Sequence, residues 1–84
     1  RAMWIKTHIK VQGRIGYNAD NDSYGLIVSV LWENSGFHCG ECMEVLVGNR
    51  WVATRMEMDW DNGGEWYLAG TPYHGDLEYV QARI

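Results

Sequence analysis

The sequence predicts an all-β domain, a small barrel or sandwich of five to six short antiparallel strands. Three observations carry this expectation. Apolar residues recur with period 2, and no 3.6-residue period persists over a helical length. Turn signals fall every ~8–12 residues, the spacing of small all-β domains. The stretch Cys42–Gly70 also reads as a β-meander, with two strand-like runs around Gly48-Asn49 and a third after Asp61-Asn62-Gly63-Gly64.

The first element is Ile5–Ile15. Ile5, Thr7, Ile9, Val11 and Gly13 alternate with Lys6, His8, Lys10, Gln12 and Arg14, the pattern of a half-buried strand with one wet face. Asn18-Ala19-Asp20-Asn21-Asp22-Ser23 is a turn, because short Asn and Asp side chains bond their own backbone. Tyr24–Leu31 (YGLIVSVL) is apolar on both faces and reads as a central strand. Trp32–Glu41 is expected as a loop, broken by Asn34-Ser35-Gly36 and Gly40.

Cys42–Val47 and Arg50–Met58 form a hairpin around Gly48-Asn49, with a type I′ or II′ turn. A two-residue turn fixes the register. Val47 then faces Arg50, Leu46 faces Trp51, Val45 faces Val52, Glu44 faces Ala53 and Met43 faces Thr54. Met43, Val45, Val47, Val52 and Met56 form the core face. Cys42, Glu44, Leu46, Trp51, Ala53 and Arg55 form a mixed face, on which Glu44 is diagonal to Arg55. Glu65–Ala69 is the next strand, Thr71–Asp76 a turn-rich connector, and Leu77–Ile84 a closing strand.

The chain has 84 residues, enough for one domain with a thin core, here residues 3–84. Arg1-Ala2 before Met3 is expected to be a cloning remnant. Five Trp and five Tyr offset the thin core, since each buries about 150–250 Å². No apolar run reaches the ~18 residues of a membrane span, and no signal segment is read, so a cytoplasmic protein is expected. Two cysteines are too few for a disulfide scaffold.

The net charge of −4 is uneven. Arg1, Lys6, Lys10 and Arg14 precede residue 18 with no acid among them, and all eleven acids follow. An acidic domain gains nothing from phosphate backbones, whose binding rests on Lys and Arg. The basic first strand reads as a solvated edge, its lysines deterring edge-to-edge pairing.

Several short motifs recur in one known family. They are Tyr24-Gly25-Leu26, the Cys39-Gly40 turn, Glu44-Val45, Trp51, Arg55-Met56-Glu57, Trp66-Tyr67-Leu68 and the Arg83-Ile84 end. Over Tyr17–Ile84 the chain resembles a family of short bacterial proteins of unknown function, common in mobile elements of Gram-positive gut bacteria. The resemblance implies an SH3-like small barrel and brings no catalytic residues.

The remaining motifs are weighed by chemistry. His38-Cys39-Gly40-Glu41-Cys42 can supply half of a tetrahedral zinc site, with His8 or His74 as a further ligand. A second Cys-x-x-Cys or His-x-x-His is missing, and a strand follows where a redox dithiol needs a helix N-terminus. His38, Cys39 and Cys42 are therefore weak metal candidates, and no metal or cofactor is expected. Asp59-Trp60-Asp61-Asn62-Gly63-Gly64-Glu65 lacks the Glu at position 12 and the flanking helices of a calcium loop, and reads as an acidic hairpin tip. Glu44 and Glu57 are a conceivable acid/base pair, but Arg55 is a ready partner. No nucleophile elbow, triad order or phosphate loop is present, so no enzymatic activity is expected.

The expectation is a small acidic protein-interaction module, an accessory protein of a mobile genetic element. Trp32, Trp60 and Trp51, with Asp59, Asp61 and Glu65, would contact the protein partner. Exposed aromatics are the usual hot spots of such interfaces. The alternatives are nucleic-acid binding through Lys6, Lys10, Arg14 and stacked aromatics, or inhibition of a host nucleic-acid-binding defence protein by the acidic edge. A homodimer built by edge-strand pairing is a further expectation.

Overall fold

A computed structural model describes residues 11–84. Residues 5–10 of the first expected strand, with Lys6, His8 and Lys10, lie outside the described residues. Among the described residues seven antiparallel strands form one sheet: β1 (Gln12–Asn18), β2 (Ser23–Val28), β3 (Leu31–Asn34), β4 (Cys42–Val47), β5 (Arg50–Asp59), β6 (Glu65–Leu68) and β7 (Gln81–Arg83). Their lateral order is β3-β2-β1-β7-β4-β5-β6. The described residues contain no α-helix, as the period-2 pattern requires.

The sheet stays open. The expected closed SH3-like barrel of five to six strands is replaced by seven strands with β3 and β6 at the two edges. The additional strand comes from Tyr24–Leu31. That run does not continue as one central strand but turns at Ser29-Val30, with Ser29 in the left-handed region (φ 61°). Leu31, expected to end that strand, and Trp32–Asn34, expected as loop, fold back together on β2. The register slips at Glu33, since Leu26 pairs with Asn34 while Ile27 pairs with Trp32. A run of apolar letters does not register a turn whose Ser, rather than a Gly, takes the left-handed backbone.

The β4–β5 hairpin keeps the deduced register at every pair from Val47–Arg50 to Met43–Thr54 and extends it to Cys42–Arg55. The asymmetry between its faces holds as well. Met43, Val45 and Met56 are buried, and Val47 packs against the core they form. β7 lies between β1 and β4, so that Ala82 pairs with Gly13 on one side and Val45 on the other. Only Gln81–Arg83 of the expected closing strand is extended. Ile15, Leu26, Phe37, Leu68 and Leu77 complete the core. Among the described residues, no buried side-chain nitrogen or oxygen lacks a hydrogen-bond partner.

Inserting β7 beside β4 also re-pairs the charges. Arg83 falls opposite Glu44 and bonds it at 2.7 Å, so the diagonal Glu44–Arg55 pair is not formed. Arg55 instead holds Glu57 at 2.5 Å. Gly25 in β2 allows close backbone approach, for a Cβ there would run into the Asn34 carbonyl oxygen. The two sheet edges differ. β6 is covered by the chain itself, since the Leu68 amide donates to the Tyr73 carbonyl (3.1 Å) and the Gly75 amide to the Trp66 carbonyl (2.8 Å). Covering an edge in this way removes a template for unwanted pairing.

Candidate functional site

The β5–β6 connection gathers most of the expected contact residues. Trp60–Asn62 forms one 3₁₀ turn, and both ends are fixed by the sequence. The Asp59 carboxylate accepts a hydrogen bond from the Asp61 amide at 3.1 Å, acting as its N-cap. Gly63 and Gly64, at φ 77° and 87°, reverse the chain where a side chain would be strained. Their amides donate to the Trp60 and Asp59 carbonyls at 3.3 and 3.1 Å. The turn thus holds Trp60 outward, with 76% of its surface exposed, and Asp59 and Asp61 flank it in the chain.

Strand pairing places Glu65 directly opposite Asp59. Two carboxylates facing one another across a sheet repel. His74, on the connector that covers β6, stands between them, with Nε2 3.3 Å from Asp59 and Nδ1 3.0 Å from Glu65. Its ring stacks on Tyr67, with centroids 5.2 Å apart and 23° between planes. His74 therefore fixes the base of the acidic tip, while Trp60 and Asp61 form its crown.

Trp32 and Trp51 lie elsewhere. Trp32 is on the edge strand β3, beside Ile27 and close to Gly16, where a Cβ would come within 3.7 Å of its Cη2. It is 41% exposed. Trp51 on β5 is half-buried beneath Arg83, whose guanidinium carbon is 4.2 Å from the ring centroid. The six expected contact residues thus divide into a tip of four (Asp59, Trp60, Asp61, Glu65) and two separate tryptophans.

His38, Cys39 and Cys42 are exposed and both thiols are free. The loop that carries them is organised by Glu41, whose carboxylate accepts from the His38 amide (2.9 Å) and the Asn34 side-chain amide (3.3 Å). Among the described residues, no three His, Cys, Asp or Glu side chains are grouped to hold a metal ion. His38 and Cys39 instead border a cleft of about 520 Å³, walled by Phe37, Trp66 and Asp22. Glu44 and Glu57, weighed as an acid/base pair, bond Arg83 and Arg55 respectively. Tyr17 donates to Asp22, and that bond, helped by partial desolvation, raises the phenol above its ordinary 10.0.

The family model of DUF5348, a domain of unknown function, matches residues 13–84. The chain belongs to that family. No curated protein and no solved structure matches the DUF5348 chain. No helix among its described residues is long and apolar enough to cross a membrane.

Two surface features of the DUF5348 chain escaped the sequence reading. Val30 and Leu31 are 86% and 72% exposed at the β2–β3 turn. Tyr79 is 74% exposed and has φ 69°. A signal for Tyr79 did exist. Leu77, Val80 and Ala82 are all buried, and the step of three from Leu77 to Val80 breaks the period of 2 and turns Glu78-Tyr79 outward.

Proposed function

We propose that this chain is a protein-interaction module that sets the Trp60 tip against a Lys/Arg-rich surface of a partner protein. The observation that carries this reading is the exposure of Trp60 on a turn whose backbone is already pinned at both ends. A rigid turn loses little backbone freedom on binding, and tryptophan has only two side-chain torsions to fix, which suits an interface hot spot. The carboxylates beside it set the sign of the partner, and complementary charge speeds and orients encounter.

At the Trp60 tip, the charge balance favours a basic protein over nucleic acid. All eleven acids lie in the described region, against Arg14, Arg50, Arg55 and Arg83. Two of these arginines are bonded to Glu57 and Glu44. The resemblance to proteins of mobile elements supplies a setting for such a module, that of an accessory protein acting on a host or element-encoded partner.

The test is affinity capture from the native host with wild type, Trp60→Ala and Asp61→Asn/Glu65→Gln baits, followed by identification of the captured proteins. The expected result is one basic protein retained by wild type, lost with either variant and lost in high salt. Capture of the same proteins by all three baits overturns the reading.

A further inference from the structure

A second surface lies on the outer side of β1, β2 and β7, away from the acidic tip. It is a groove of about 480 Å³ whose lining includes Arg14, Ile27, Ser29, Tyr79 and Gln81. Among the described residues three non-glycine positions have positive φ, and two of them, Ser29 and Tyr79, border this one groove. Left-handed backbone at such residues is uncommon, and strain of this kind concentrates where a surface is shaped for a ligand. Tyr79 is held there by the sheet. Its amide donates to the Ile15 carbonyl at 2.9 Å, and the Ile15 amide donates to the Val80 carbonyl at 2.7 Å. Its ring contributes little to the core, being 74% exposed.

Charge in the groove is opposite to that of the chain as a whole. Among the described residues no carboxylate lines it, Glu78 bordering instead the neighbouring pocket that shares Tyr79 and Gln81. Arg14 lines the groove, and its Nη1 donates to the Ser29 carbonyl at 3.3 Å. One of the five guanidinium N–H groups is thereby used to orient the side chain, and the rest are available to an anion. Gln81 pairs with Arg14 across β1 and β7 and adds an amide.

We propose that this groove binds single-stranded nucleic acid, one base stacking on Tyr79 while its phosphate meets Arg14. An exposed ring beside a guanidinium on a sheet surface suits this ligand, because every base has a face to stack and every nucleotide a phosphate. Glutamine amides suit base edges. The surface uses no residue of the Trp60 tip, so it stands or falls independently of the protein-binding reading.

The test is fluorescence anisotropy with fluorescein-labelled (dT)12 and (dC)12 at low salt, using wild type, Tyr79→Leu, Tyr79→Gly, Arg14→Gln and, as control, Cys39→Ser. Saturable binding is expected, weakened at least five-fold by each Tyr79 or Arg14 variant and unchanged by Cys39→Ser. A tenfold rise in salt should weaken it about five-fold, the effect of one neutralised phosphate on a single strand. Tyr79→Gly relieves the left-handed strain, so its melting temperature should equal or exceed that of wild type while binding falls. That separates lost contact from lost folding. The proposal is overturned by no binding at low salt, by Tyr79→Gly binding as wild type does, or by retention of a labelled Glu-rich 12-mer peptide and neither oligonucleotide.

Discussion

Nδ1 of His74 lies 3.0 Å from a carboxylate oxygen of Glu65, and the same ring reaches Asp59 at 3.3 Å through Nε2. One side chain from the connector thus joins two carboxylates that the β5–β6 register sets face to face. His74→Ala should leave those carboxylates opposed and loosen the connector from β6. The expected loss is about 0.5–1 kcal/mol, the range for one exposed hydrogen bond and a cross-strand contact. Urea unfolding followed by tryptophan fluorescence measures it. Backbone amide exchange at Gly75, which donates to Trp66, should rise more than exchange in β1.

Arg83 performs a similar joining role on the opposite side of the hairpin. It bonds Glu44 at 2.7 Å and covers the Trp51 ring. Replacing it with Met keeps the aliphatic stem but removes both interactions. A destabilisation of about 1–2 kcal/mol is expected from one half-buried ion pair and one cation–π contact. Denaturant midpoints of wild type, Arg83→Met, Glu44→Gln and the double variant give the coupling between the two residues.

Tyr17 is held above its ordinary 10.0 by its bond to Asp22. Because the neutral phenol is the form that donates, the folded value exceeds the unfolded one. This contribution is therefore complete below pH 10.0 and is lost as pH rises through the raised folded value. Absorbance titration of tyrosinate should show a late-ionising component that is lost in Tyr17→Phe. Asp22→Asn should shift it downward by removing the facing negative charge.

Gly25 admits no side chain without backbone movement, since a Cβ would meet the Asn34 carbonyl oxygen and, at 3.0 Å, the Ser35 carbonyl carbon. Gly25→Ala should cost about 1–3 kcal/mol, the range for overpacking a closed site. Gly40→Ala has nothing within 4 Å of its Cβ and meets only the strain of φ 87°, so it should cost less. Thermal melts of the two variants rank them.

Where the sequence carried periodic information, the fold was legible. The β4–β5 register followed from Gly48-Asn49 alone, because a two-residue turn leaves one pairing and alternation then assigns every side chain to a face. The acidic tip was legible as well, since Asp-Asn-Gly-Gly marks its turn and the acids lie close together in the chain. Contacts between distant segments were not. Nothing local in Arg83 says that β7 inserts beside β4, so Glu44 was matched with the nearer Arg55. The separation of Trp32 from Trp60 depends on strand order, which alternation does not encode. Tyr79 was hidden by an apparently continuous closing strand, although the step from Leu77 to Val80 marks the interruption.

The central claim is that Trp60, held outward by the Asp59 cap and the Gly63-Gly64 reversal, is the anchor of a contact with a basic protein. The most direct test is titration calorimetry of the captured partner with wild type and Trp60→Ala. A loss of at least ~30-fold in affinity is predicted, the ~2 kcal/mol that defines a hot spot, with the partner's binding weakening as salt is raised. Equal affinity of the two proteins for that partner would contradict the account.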